Sequence, residues 1–267
     1  MHRLTVLLIL WLLGPGLSAQ EGMPWLTIDD IQARPDTTLR LAFHFVGLPD
    51  GRNFVPAGQD SLRAAYGGNE KLTGEIYAWY IMRELDKRFR TALLDYPPSK
   101  DTKLRFGYAA GEGRPVGESL YYYRHDERPR PVPGAYNVVF TRYRGRGMNP
   151  NGSTRGAGSH TLYIYGTLET FLRGGADTWS PARTLAHELG HALSLDHTFK
   201  CDNPCAGQGF TPETECFGVC APTNTGQAGS TSCYGGSQRE LMMGYGSQLH
   251  LTPCETERMW NFLLGHR

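Results

Sequence analysis

Residues 187–197 read HELGHALSLDH. On a helix, His187 and His191 stand one turn apart on the same face, so two imidazole nitrogens can meet one cation. Glu188 follows the first histidine, where its carboxylate reaches a water at the metal without ligating the metal itself. His197 falls just past the expected end of the helix and supplies a third nitrogen if the chain turns back there. Three neutral ligands leave zinc with one open position, which is the arrangement of a catalytic site. Such a centre makes water acidic and polarises a carbonyl, with Glu188 as the base, and the chemistry is metal-assisted amide hydrolysis. A bare H-E-x-x-H arises by chance on ordinary amphipathic helices. Histidine is scarce in this chain, 9 of 267 residues, and the third histidine at this offset makes coincidence roughly fifty times rarer.

The segment resembles the H-E-x-x-H-x-x-G-x-x-H signature of the metzincin clan of zinc endopeptidases. Met242-Met243-Gly244-Tyr245 resembles the clan's methionine-containing turn, with Met243 as the turn methionine and Tyr245 completing the M-x-Y form. In the families that have it, this tyrosine is near the metal, so the resemblance implies that Tyr245 binds the metal or stabilises the tetrahedral intermediate. His197-Thr198-Phe199, Cys201 and the Cys-rich stretch before the turn are similar to the pappalysin, or ulilysin-like, group. The implied fold is a two-lobed α/β (α+β) architecture. A mixed twisted sheet and two long helices form an upper lobe, about 39–193. An irregular disulfide-rich lower lobe with a C-terminal helix follows, about 194–267. Zinc lies at the cleft floor, and a polypeptide substrate runs extended along the sheet edge. The resemblance also suggests calcium in the Cys-rich stretch, with Asp202, Asn203, Glu213 and Glu215 as candidates, and a latent form in which Asp29, Asp30 or Asp36 reaches the zinc. Ser194 stands where the clan has glycine. That place asks for a positive φ, which costs serine on the order of 1 kcal/mol. The substitution bears on the turn rather than on the ligands.

The elements that must position these residues are read from periodicity. β-rich alternation predicts a strand over 39–46. Helical spacing of Leu72, Ile76, Tyr80, Leu85, Phe89 and Leu93 predicts a long helix over 70–94, stopped by Pro97 and Pro98. Further strands are expected at 103–109, 120–123, 136–143 and 161–165, and together they imply a mixed or largely parallel sheet backed by helices. The Gly-rich stretch 145–158 borders a cleft or is plain surface; the sequence leaves both open. Ser180 as cap and Pro181 at the first helical position start the active-site helix, which runs to about 193. Residues 198–253 read as irregular, and a short helix over 255–264 closes the chain.

The balance of 40% apolar and 20% charged residues with a net charge of +1 excludes a disordered chain and a nucleic-acid surface. Residues 1–19 carry His2 and Arg3, an apolar run over 4–13 and Leu17-Ser18-Ala19, which reads as a signal peptide cut after Ala19. That run is too short to span a bilayer, so the expectation is a secreted, extracellular or periplasmic protein without stable membrane insertion. Residues 20–38, broken by Pro24 and Pro35, read as an irregular arm or short pro-segment before a single catalytic domain over 39–267. Cys201, Cys205, Cys216, Cys220, Cys233 and Cys254 suit three disulfides of open pairing, with a four-cysteine zinc site as the rival. His44, His125, His160 and His250 lack ligand spacing and read as core or surface residues. Asn151-Gly152-Ser153 is a glycosylation sequon. Oligomeric state is left open. Two other functions compete: a catalytically silent binding or adhesion module, against which the intact Glu188 and histidines argue, and a zinc hydrolase of a non-peptide amide.

Overall fold

Alternation of apolar residues along 37–46 builds a strand with two unlike faces. In β1 (Thr37–Val46), Leu39, Leu41, Phe43 and Phe45 all enter the core. The computed structural model describes residues 25–90, 100–143, 152–174, 179–197, 242–243 and 251–265. Within them β1 is central. It pairs in parallel with β2 (Leu104–Tyr108) along its first half and with β3 (Leu120–Tyr123) along its second. On its other side lies β4 (Tyr136–Thr141), followed by β6 (Thr161–Tyr165), both parallel, and then by β5 (Gly152–Thr154), which runs antiparallel to β6 at the sheet edge. The register sets Phe43 opposite Val138 and Phe140 opposite Ile164, so the apolar face is continuous.

Two helices cover that face. Tyr77, Ala78, Ile81 and Leu85 of α3 (Gly74–Phe89) and Ala182, Leu185, Ala186 and Leu189 of α5 (Trp179–Ala192) share one core with the sheet. Each large aliphatic side chain buried in this way contributes roughly 1.5–3 kcal/mol. The apolar stripe of α5 therefore fixes the helix against the sheet, and with it the direction of His187 and His191. Shorter helices are α1 (Ile28–Gln32), α2 (Asp60–Ala65) and α4 (Thr167–Leu172), and α6 (Pro253–Leu263) closes the chain.

Several local expectations are corrected. The helix expected over 70–94 begins only at Gly74, after a single 3-10 turn at Glu70–Leu72, because the backbone of Val55 takes the amide of Gly74 and donates to Leu72. It ends at Phe89, whose carbonyl accepts from both the amide and the hydroxyl of Thr102. Trp179 and Ser180 are already helical, so Ser180 is not the cap and Pro181 is not the first helical residue of α5 (Trp179–Ala192 among the described residues). The stretch 145–158 contains the strand β5. The arm 20–38 is not irregular throughout: α1 is closed by a capping box between Thr27 and Asp30. It docks on α6 through Leu26 N–H to Asn261 Oδ1 (2.8 Å) and Ile28 N–H to Glu257 Oε1 (2.6 Å). The carboxylate of Asp30 is held by Thr27 and that of Asp36 by Arg105 (2.7 Å). Among the described residues only the three histidines gather as a metal-holding group, and Asp29, Asp30 and Asp36 do not join them. The last helix begins two residues early, at Pro253, under a second capping box between Thr252 and Glu255.

Cys254 is disulfide-bonded. Cys201, Cys205, Cys216, Cys220 and Cys233 lie outside the described residues. The expected leader 1–19, Tyr245, His250, Asn151 and the calcium candidates Asp202, Asn203, Glu213 and Glu215 also lie outside them. No helix among the described residues is long and apolar enough to cross a membrane.

Candidate metal centre

The chain ends α5 and reverses within three residues. Leu195 N–H donates to Gly190 O (2.9 Å) and Ser194 N–H to His191 O (3.0 Å), the paired bonds of a Schellman motif with Ser194 in the position glycine usually takes. Ser194 accordingly has φ +74°. The expected turn is thus built with serine, and it carries His197 back toward the helix.

The Nε2 atoms of His187, His191 and His197 lie 3.1 Å apart in each of the three pairs. Nδ1 of His187 donates to the Met242 carbonyl (2.9 Å) and Nδ1 of His191 to the Leu195 carbonyl (2.8 Å). Because a carbonyl only accepts, both protons reside on Nδ1, and both Nε2 atoms of the neutral rings present lone pairs to the centre. Lone pairs converging in this way repel unless a cation lies among them. Ligand atoms around tetrahedral zinc, with bonds of ~2.0–2.1 Å, stand about 3.3 Å from one another, close to the spacing found here. Carbonyls that orient the imidazoles from behind are the usual support of such ligands. The donor set therefore fits zinc. His187 is also kept neutral: burial first, and then the neighbouring His191, push its pKa down to about 3.

Glu188 lies beneath the edge strand. A Cβ on Gly152 would overlap the Thr184 methyl and come within 3.0 Å of Glu188 Cγ, so the backbone of β5 rests directly on α5. The Thr154 amide donates to the Glu188 carboxylate, but burial is the larger effect and raises its pKa to about 7. A carboxyl poised there can both take and return a proton near neutrality.

Met242 and Met243 are fully buried. A Cβ on Gly190 would overlap the Met243 sulfur, so the methionine packs directly under the middle of HELGH.

The chain is similar to two solved structures of mirolysin. One is mature mirolysin from Tannerella forsythia in complex with a cleaved peptide, with 12% identity, coverage of 85% of this chain and 91% of that chain, and a TM-score of 0.48. The other is mirolysin in complex with compound 9, with 12% identity, coverage of 85% and 92%, and a TM-score of 0.47. No family profile and no curated protein matches the sequence.

The structure thus brings together His187, His191, His197 and Met243, with Glu188 beside the first histidine. Among the described residues the other histidines, His44, His125 and His160, stay apart from them. His44 is buried on the face of the sheet opposite Phe43 and Phe45, with Nδ1 beside Tyr123 OH (3.2 Å), Nε2 beside Asn137 Oδ1 (2.9 Å) and its ring stacked on Tyr121. Together with His125 and His160 it lines a cavity of about 820 Å³ that none of the three clustered histidines borders. Ser153 of the sequon is a strand residue whose hydroxyl pairs with Tyr165 OH (2.6 Å). Sequence reasoning missed four contributors: Gly190, Gly152, the Thr154 amide and the Met242 carbonyl. Gly190 had a visible signal, a glycine in a helix interior where alanine is favoured. The other three depend on contacts between distant segments.

Proposed function

We propose that this protein is a zinc-dependent endopeptidase of the metzincin type, similar to the pappalysin group and exported from the cell. One observation carries the reading: three imidazole nitrogens converge, those of His187 and His191 with their lone pairs inward, and the buried carboxyl of Glu188 stands at the next residue of the helix after His187. His187, His191 and His197 would hold the ion. A zinc ion held there supplies Lewis acidity, making water acidic near neutral pH and polarising a carbonyl. Glu188 takes the proton of the attacking water and returns it to the leaving amine. The Thr154 amide fixes the carboxylate for both transfers. The outer edge of β5, which pairs with no other strand among the described residues, would offer backbone donors and acceptors to an extended polypeptide, which would lie beside Glu188 by strand addition. Tyr245 is proposed to assist at the carbonyl, and Cys201, Cys205, Cys216, Cys220 and Cys233 to bridge with Cys254 in a disulfide-linked lower lobe.

Digestion of casein and gelatin, with and without chelator and with Glu188→Ala as control, tests this reading. Cleavage that stops with chelator and in the variant is the expected result. Zinc-loaded, folded protein that leaves both polypeptides intact would reject it, in favour of a non-peptide amide substrate or a silent binding module.

A further inference from the structure

The turn that delivers the third histidine is held from outside the motif. Arg258 of α6 donates from Nε to the Ser194 carbonyl (2.6 Å), and its Nη2 lies 3.5 Å from the Asp196 carboxylate. These are two of the four residues between the end of α5 at Ala192 and His197. Ser194 is one of two non-glycine residues with positive φ among the described residues, the other being Lys103. The Schellman bonds use the Gly190 and His191 carbonyls, while the Ser194 carbonyl accepts from Arg258. A guanidinium suits that place for three reasons. It can hydrogen-bond a carbonyl and a carboxylate at once. It carries positive charge to the negative end of the α5 dipole. It also stands on a fixed platform, since α6 is pinned by Trp260 Nε1 to Thr102 O (2.6 Å) and by Asn261 Nδ2 to Leu26 O (2.9 Å).

We infer that Arg258 is a positioning residue for the metal centre: it holds the strained turn at Ser194 so that His197 stands where its nitrogen meets those of His187 and His191. The inference rests on the metal-site reading above. Outer partners of metal ligands change affinity by about 10- to 100-fold when removed, and Arg258 acts one step further out, through the backbone of the turn.

The test is zinc affinity, measured by competition with a chromophoric chelator, in wild type, Arg258→Ala, Arg258→Lys, Ser194→Gly and the Arg258→Ala/Ser194→Gly double variant. Thermal unfolding of each in chelator reports whether the rest of the fold is intact. Arg258→Ala is expected to bind zinc about 10-fold more weakly or worse. Arg258→Lys keeps the charge but not the two-pronged geometry, and should fall between it and wild type. Ser194→Gly removes the strain that Arg258 restrains, so the loss should shrink in the double variant, a coupling that general destabilisation would not produce. Wild-type zinc affinity in Arg258→Ala, or an undiminished loss in the double variant, overturns the inference. If Arg258→Ala does not fold, the Arg258→Lys comparison decides in the same way. Wild-type protein that takes up no zinc would instead overturn the metal-site reading itself.

Discussion

The thioether of Met243 fills the space that a side chain on Gly190 would need. Glycine inside a helix costs about 1 kcal/mol relative to alanine, so on propensity alone Gly190→Ala would stabilise α5. Overpacking a buried contact costs ~1–3 kcal/mol, and Met243, with 0% of its surface exposed, has no solvent side to swing into. The clash is expected to win. Thermal unfolding should show Gly190→Ala less stable than wild type, with part of the loss recovered in Gly190→Ala/Met243→Ala. A more stable Gly190→Ala protein would mean that the sulfur moves aside freely.

Gly152 is a second contact of this kind, placed to affect rate instead of metal. Its Cβ would strike Thr184 and crowd Glu188, pushing β5 off α5 while leaving the three histidines where they are. A displacement of about 1 Å near reacting groups can cost on the order of 100-fold. Gly152→Ala is therefore expected to lose kcat/KM on a peptide substrate to that extent and to keep its zinc affinity. Equal losses of both would assign Gly152 to the metal site instead.

Stability should depend on pH through Glu255. This carboxyl is buried, and burial raises its pKa to about 7 against hydrogen bonds from Thr252 that lower it. Its Oε1 has no hydrogen-bond partner among the described residues. Below pH ~4.5 both the folded and the unfolded chain hold the proton, and the group is neutral in its effect. Between ~4.5 and ~7 the unfolded chain releases the proton while the folded one keeps it, so stability falls as pH rises. Above ~7 the penalty is complete, about 3 kcal/mol. Glu255→Gln keeps the capping box and removes the titration. Urea midpoints across pH 4 to 8 should show the variant gaining on wild type up to about pH 7 and no further; a constant difference would refute this.

Metal removal should be visible without any substrate. Zinc at about 100 times its Kd stabilises the folded chain by ~2.7 kcal/mol, and the effect should weaken as pH falls because each ligand must stay neutral. Melting curves with zinc and with chelator at pH 7.5 and 5.5 measure both trends. The shift should vanish in His197→Ala, and a shift that survives there would place the ion elsewhere.

The cluster of three histidines was legible because its residues are chemically distinctive and close in sequence. Strands at 120–123 and 161–165 were equally plain, since β-branched and aromatic residues cluster between clear turn signals. β5 was not, because Gly152 and Ser153 have the composition of a loop and become a strand only by pairing with Tyr163 and Ile164. Both capping boxes were present as letters, Thr27 to Asp30 and Thr252 to Glu255. They mark starts that periodicity alone placed late or overlooked. The Ser194 turn lacked its glycine, and what holds it lies 64 residues away in Arg258, where no local pattern points.

The site is unevenly spread along the chain, and this has a consequence for its order of assembly. His187 and His197 are separated by 10 residues, whereas His187 and the Met242 carbonyl that orients it are separated by 55. Closing the longer loop costs about 1.5 kcal/mol more in chain entropy. A chain emerging from synthesis can therefore gather its three imidazoles before the segment that fixes the His187 tautomer exists. On the proposed zinc-site reading, metal capture can come first, with the segment of Met242 and Met243 closing on imidazoles that are already joined.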